Sequence, residues 1–248
     1  MTQKWTPDLI KQYESHVSLI IESITAEDIR YTCEDFAITV LATFARDNGL
    51  PFKWETGAKS YDADDPNFTN FETFLTQIKM TTGAADFKNN INTTPVTKDK
   101  ISLGTNVLHS SIGKKNPHHI SVVTGLAYDE QKSVSAYCWS QGNFRGGIMY
   151  DRLLGSKTPD DWNYHGDFVQ QGVYFVGWDI WNNETRAIQT SYYSLSQELS
   201  YRNFNFMKMN VEYKYKKVTI TTTVSSPTTL VPTTSESTVY ERCDDDCK

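Results

Sequence analysis

Apolar residues recur at three- and four-residue steps through the first fifth of the chain and at shorter, strand-like intervals after residue 100. That change of period predicts helices first and strands afterwards. Leu9, Ile10, Tyr13, Val17, Ile20, Ile21 and Ile24 share one face of a helix running from Pro7 to Ile24. A second helix is predicted from about Thr32 to Asn48, with Ala37, Ile38, Leu41, Ala42, Phe44 and Ala45 turned inward. Asn48-Gly49, followed by Pro51, stops it. Glu34 and Asp35 behind Thr32 suit its start, because carboxylates favour the positive end of a helix dipole. Residues 53–70, rich in Gly, Ser, Asp and Pro, read as a loop; Phe71 to Met80 reads as a third helix, and residues 81–99 as polar turns.

Beyond Lys100 the short runs Val107-Leu108, Ile120 to Thr124 and Val134 to Trp139 are separated by turn residues, which predicts antiparallel strands. Val173 to Trp181 and the alternating stretch Phe204 to Tyr215 read as further strands joined by a polar connection. After about Ile220, Thr, Ser, Pro and Glu dominate, with too few large apolar side chains to offset the entropy of ordering. Helices followed by a small sheet make an α+β domain over residues 1–220, with 221–248 expected to be a mostly disordered tail.

Charge and composition narrow the function. The 248 residues carry 24 basic and 30 acidic side chains, a net charge of −6. No cation excess is present to displace counterions from phosphates, so a general nucleic-acid binder is excluded. A chain of this length buries a core without disulfide staples. No run approaches the ~20 apolar residues of a membrane span. Met1 to Asp8 lacks a secretory pattern, so synthesis in the cytoplasm is expected, with export only by a specialised secretion machine. Cys243 and Cys247 flank three aspartates and read as a solvated end of the chain rather than a metal clip. The acidic pairs and the aromatic group around Trp162, Trp178 and Trp181 read as loop and core, no phosphate-cradling glycine loop is found, and no cofactor or metal is expected.

The reactive candidates lie elsewhere. Cys33 falls in the first turn of the second predicted helix, where unpaired backbone N–H groups and the dipole favour thiolate. Tyr31 stands two residues before it as a supporting candidate. His118 and His119 open the Ile120 strand and point to opposite faces, so only one of them can meet a given partner. His119 shares its face with Ser121 and Val123. One strand on, Gln141 or Asn143 could accept an imidazole N–H and hold the ring's tautomer, the orienting role in cysteine–histidine sites.

This order, with Cys33-Glu-Asp-Phe-Ala, Gly104-Thr-Asn-Val107, His119-Ile-Ser-Val-Val and Gln141-Gly-Asn143, resembles the papain-like cysteine amidases of the NlpC and CHAP type. The likeness covers roughly residues 25–145, with 151–220 as a C-terminal extension carrying extra strands. Thr105 stands where that family usually carries aspartate. The resemblance implies a papain-like fold, Cys33 as nucleophile, His119 rather than His118 as base, and Asn143 as orienter. It also implies cleavage of peptide amide bonds, with cell-wall peptidoglycan as the substrate class. A catalytically silent binding module and a thiol acyltransferase of transglutaminase type are the competing expectations.

Overall fold

The computed structural model describes residues 3–26, 31–57, 59–111, 113–128, 132, 134–142, 148–152, 180–182, 187–189, 197–224 and 233–243. Three helices come early. Helix α1 spans Pro7–Ala26 and buries Tyr13, Val17 and Ile21, one residue per turn along a single face. Helix α2 spans Cys33–Asp47. Its start is set by Thr32, whose side chain accepts the Asp35 N–H, one of the four amides a helix cannot satisfy internally. From Phe36 to Ala45 nearly every residue of α2 is buried, so this is a central helix rather than a surface one. Helix α3, Phe71–Thr81, opens on a reciprocal Asn70–Thr73 capping box and buries Phe74, Leu75 and Ile78.

The segment expected to be a loop after α2 holds a hairpin, β1 (Lys53–Thr56) with β2 (Lys59–Asp62). Lys53 makes it possible. Its ammonium is 3.1 Å from the Asp62 carboxylate, both side chains almost fully buried, and it donates to the Val211 carbonyl. A buried cation is tolerated only with such partners. A polar sequence thus hides a strand pair whose burial depends on one ion pair.

Among the described residues the main sheet has six strands: β3 (Thr93–Val96), β4 (Asn106–Ser111), β5 (His119–Tyr128), β6 (Val134–Gly142), β7 (Ile148–Arg152) and β10 (Gln197–Phe204). Their order is β3-β10-β4-β5-β6-β7, with every pair antiparallel. Between β7 and β10 a small pair is formed by β8 (Ile180–Asn182) and β9 (Ala187–Gln189). The expected strand at 173–181 lies mostly outside the described residues, only its last two residues falling in β8.

The pleat sorts the sheet into two faces. Leu108, Ile120 and Val122 join the core formed with α1, α2 and α3. Val107, Val123, Tyr137 and Trp139 form a smaller cluster on the reverse, with Leu199 and Tyr201 against them. Helix α2 lies across β5 and β6 on the first face. Its contact requires a glycine: a Cβ at Gly142 would come 2.3 Å from the Thr32 carbonyl oxygen and 2.9 Å from the Phe36 Cβ. Ahead of β4, Gly104 has φ +83° and lies so close to the Tyr13 ring that an added Cβ would be 2.7 Å away. Thr105, in the place of the expected aspartate, accepts the Ser102 N–H at 2.9 Å and donates to Asn203 at 2.6 Å.

Two expectations at the C-terminal end are corrected. Phe204 to Tyr215 is not one strand: β10 ends at Phe204, a short helix α4 follows at Phe206–Met209, and a new strand begins at Lys214. Asn205 causes the break by capping α4 through the Lys208 N–H. Nor is 221–248 a disordered tail throughout. Strand β11 (Lys214–Val224) pairs residue for residue with β12 (Thr233–Cys243) in a two-stranded ribbon. Threonine-rich sequence suits strands through its β-branching, which the composition argument left out. The ribbon is tied to the body by Asn67, whose amide bonds both backbone groups of Tyr240. Cys243, expected to be an incidental thiol, is disulfide-bonded.

The chain is therefore α+β, with antiparallel sheets. Among the described residues, no helix is long and apolar enough to cross a membrane.

Candidate active site

Cys33 is the first residue of α2, half-buried, and is a free cysteine. Its sulfur receives the backbone N–H of Ile120, from the sheet, and of Glu34, from its own helix. Both favour thiolate. They are outweighed. Burial, then the Glu34 charge, then the Glu34 carboxylate accepting the thiol hydrogen at 2.9 Å push the thiol well above its ordinary range. The resting group is a thiol, which corrects the expectation that the helix start alone yields thiolate. Asp35 beside it is also pushed up, chiefly by burial and then by the Glu34 charge, with Lys79 opposing.

His119, one residue before Ile120, is 8% exposed. Its ring Nε2 lies 2.5 Å from the Gln141 Oε1. Desolvation lowers its pKa to about 4, with the Gln141 hydrogen bond opposing and the His118 charge adding a little, so it is neutral near pH 7. Alternation along β5 and β6 sets His119 and Gln141 on the face that carries Val123 and Trp139. Helix α2 covers the other face. Cys33 and His119 thus lie on opposite faces of the sheet, and the structure does not bring the thiol to the imidazole: the sulfur meets Glu34 and the backbone of Ile120, and the ring meets Gln141.

The remaining candidates separate clearly. His118 is exposed, and its backbone N–H bonds the His109 carbonyl at 2.9 Å. Tyr31 is buried, edge-on to Phe36, with the Lys79 ammonium 5.7 Å from its ring centre. It packs against the start of α2. Asn143 lies outside the described residues. The residue brought to the imidazole is Gln141, the weaker of the two candidate orienters by resemblance.

Two residues extend this group beyond what the sequence suggested. His109 on β4 is the direct cross-strand partner of His119, with ring centres 5.3 Å apart. Its Nε2 is 2.9 Å from the Ser121 Oγ, and Ser121 Oγ donates to the Gln141 Oε1 at 3.1 Å. His109 is 1% exposed, and Ser121 and Gln141 are fully buried. Alternation placed Ser121 beside His119. His109 could be found only from the β4–β5 register, which the loop between the strands decides. Among the described residues, no group of three His, Cys, Asp or Glu could hold a metal ion.

Compared with known proteins, the chain matches no protein-family model, no curated protein and no solved structure.

Proposed function

We propose that the chain is a papain-like cysteine hydrolase that cleaves peptide amide bonds, with peptidoglycan peptides as its substrate class. The observation that carries this reading is a cysteine at the mouth of α2 beside the backbone of Ile120, the neighbour of a buried histidine, His119, whose Nε2 is held by Gln141. An imidazole bound through Nε2 has Nδ1 left as its basic nitrogen when neutral.

This mechanism requires substrate binding to bring the His119 ring from the reverse face round the start of β5, so that Nδ1 takes the thiol hydrogen that Glu34 holds at rest while the sulfur attacks the amide carbonyl carbon. The tetrahedral oxyanion is stabilised by the backbone N–H of Cys33 at the opening of α2, such a donor contributing ~3 kcal/mol. The C–N bond breaks, the amine leaves with the proton returned by His119, and a thioester to Cys33 remains. Water, deprotonated by His119, hydrolyses the thioester to a carboxylate and restores the thiol. A chain made in the cytoplasm would meet cell-wall substrate after delivery by a specialised secretion machine.

One observation favours a second reading, a silent binding module of the same fold. Burial and Glu34 keep the thiol protonated, which suits a retained core cysteine as well as a resting nucleophile. Incubation with purified peptidoglycan separates the two. Release of new amino groups by the wild type, lost in Cys33→Ala, is expected for the hydrolase. Equal retention of wild type and Cys33→Ala on peptidoglycan, with no amine released by either, would establish the module instead. A product carrying an added nucleophilic amine would mark acyl transfer.

A further inference from the structure

The buried polar row on the reverse face of the sheet has an internal logic of donors and acceptors. The Gln141 Oε1 is an amide oxygen and can only accept. It lies within hydrogen-bond distance of His119 Nε2, at 2.5 Å, and of Ser121 Oγ, at 3.1 Å. Both of those atoms must therefore carry hydrogens aimed at it. A serine has one hydroxyl hydrogen, and here it is spent on Gln141. Ser121 Oγ faces His109 Nε2 at 2.9 Å as an acceptor, so that nitrogen also carries a hydrogen. The row reads in one direction, from His109 Nε2–H to Ser121 Oγ–H to Gln141 Oε1, with His119 Nε2–H closing on the same oxygen.

We infer that Ser121 and His109 are positioning residues that lock the Gln141 amide, and through it fix the proton of neutral His119 on Nε2 so that Nδ1 is its basic nitrogen. With the amide turned round, its NH₂ would donate to both His119 and Ser121, every bond in the row would reverse, and His119 would carry its proton on Nδ1. It would then have no lone pair to offer a thiol from that side. The Ser121 hydroxyl is one of the two donors that hold the amide oxygen in this orientation, and His109 is the partner that orients that hydroxyl. The row costs nothing extra in exposure, since all four side chains are buried and each supplies the other's partner.

The catalytic consequence rests on the cysteine-hydrolase reading; the tautomer does not. The test uses the full chain with ¹⁵N-labelled histidine, and His119→Gln assigns the ring by loss of its signals. Near pH 7 the expected spectrum shows His119 protonated on Nε2. In Ser121→Ala that state gives way to a mixture of tautomers, and Ser121→Thr, which keeps the hydroxyl, restores it. If the chain cleaves peptidoglycan, kcat falls in Ser121→Ala by up to about a hundredfold with KM unchanged, the cost of misplacing a catalytic group by ~1 Å. A wild-type His119 protonated on Nδ1 overturns the proposal without recourse to any variant. So does an unchanged tautomer in a folded Ser121→Ala. Failure of the wild type to cleave peptidoglycan would sink the hydrolase reading and leave the spectrum to decide this one.

Discussion

The two faces of the six-stranded sheet solve the same burial problem by different means. Under α2, Leu108, Ile120 and Val122 join Phe36, Ile38 and Leu41 in one large core, with Asn106 and Ser140 buried at its margin. On the reverse, a small apolar cluster around Val107, Val123, Tyr137 and Trp139 lies beside a row of His109, Ser121, Gln141 and His119. The first face draws its stability from area removed from water, which is forgiving of detail. The polar row on the second depends on its donors meeting its acceptors, because an unpaired buried polar group costs its full desolvation. A stable scaffold and a specified arrangement are thereby kept on opposite sides of the same strands.

The largest expected effect belongs to the helix-covered face. Phe36→Ala removes a fully buried ring and should cost about 3–5 kcal/mol in chemical denaturation. Acid should act on the other face. His119 titrates near pH 4 when folded and near 6.5 when unfolded, so the unfolded chain binds the extra proton between those values and stability rises with pH through that window. Its full value holds above about pH 6.5, and up to ~3 kcal/mol is lost on descending to pH 4. Denaturation curves across that range should show the slope in the wild type and in Leu108→Val, but not in His119→Asn. Gln141→Leu keeps the bulk and removes the acceptor for two buried donors, an expected loss of about 1–3 kcal/mol. The smallest effect, about 0.5–1.5 kcal/mol, is expected for Ile101→Val in the small apolar cluster. If Ile101→Val cost more than Gln141→Leu, the reverse face would be held by area after all.

Much of the scaffold could be read from the sequence because its signals are local. Helix α2 shows its cap at Thr32, its stop at Asn48-Gly49 and its apolar run within a few turns. Strands β5 and β6 show theirs in Ile120 to Thr124 and Val134 to Trp139. Strand β10 could not be read this way. Gln-Glu-Leu-Ser-Tyr-Arg-Asn-Phe is polar, and it belongs in the sheet because Arg202, itself buried, bonds Thr93 and Asn90 across the strand gap. Lys53 in β1 hid its hairpin for the same reason, a charge satisfied by a distant partner. Alternation made His119 and Gln141 legible as a pair, but neither the placement of Cys33 on the opposite face nor the protonation states could be read. Those follow from burial and from Glu34 and His118, neighbours whose effect depends on where their side chains turn.

The position of β10 also has a consequence in time. It is inserted between β3 and β4, strands made about a hundred residues earlier. On an emerging polypeptide those two must wait with open edges, and such edges invite pairing with other chains until the late strand fills the gap. A fragment ending before Gln197 would keep that opening permanently, and so should assemble into larger species where the whole chain stays discrete.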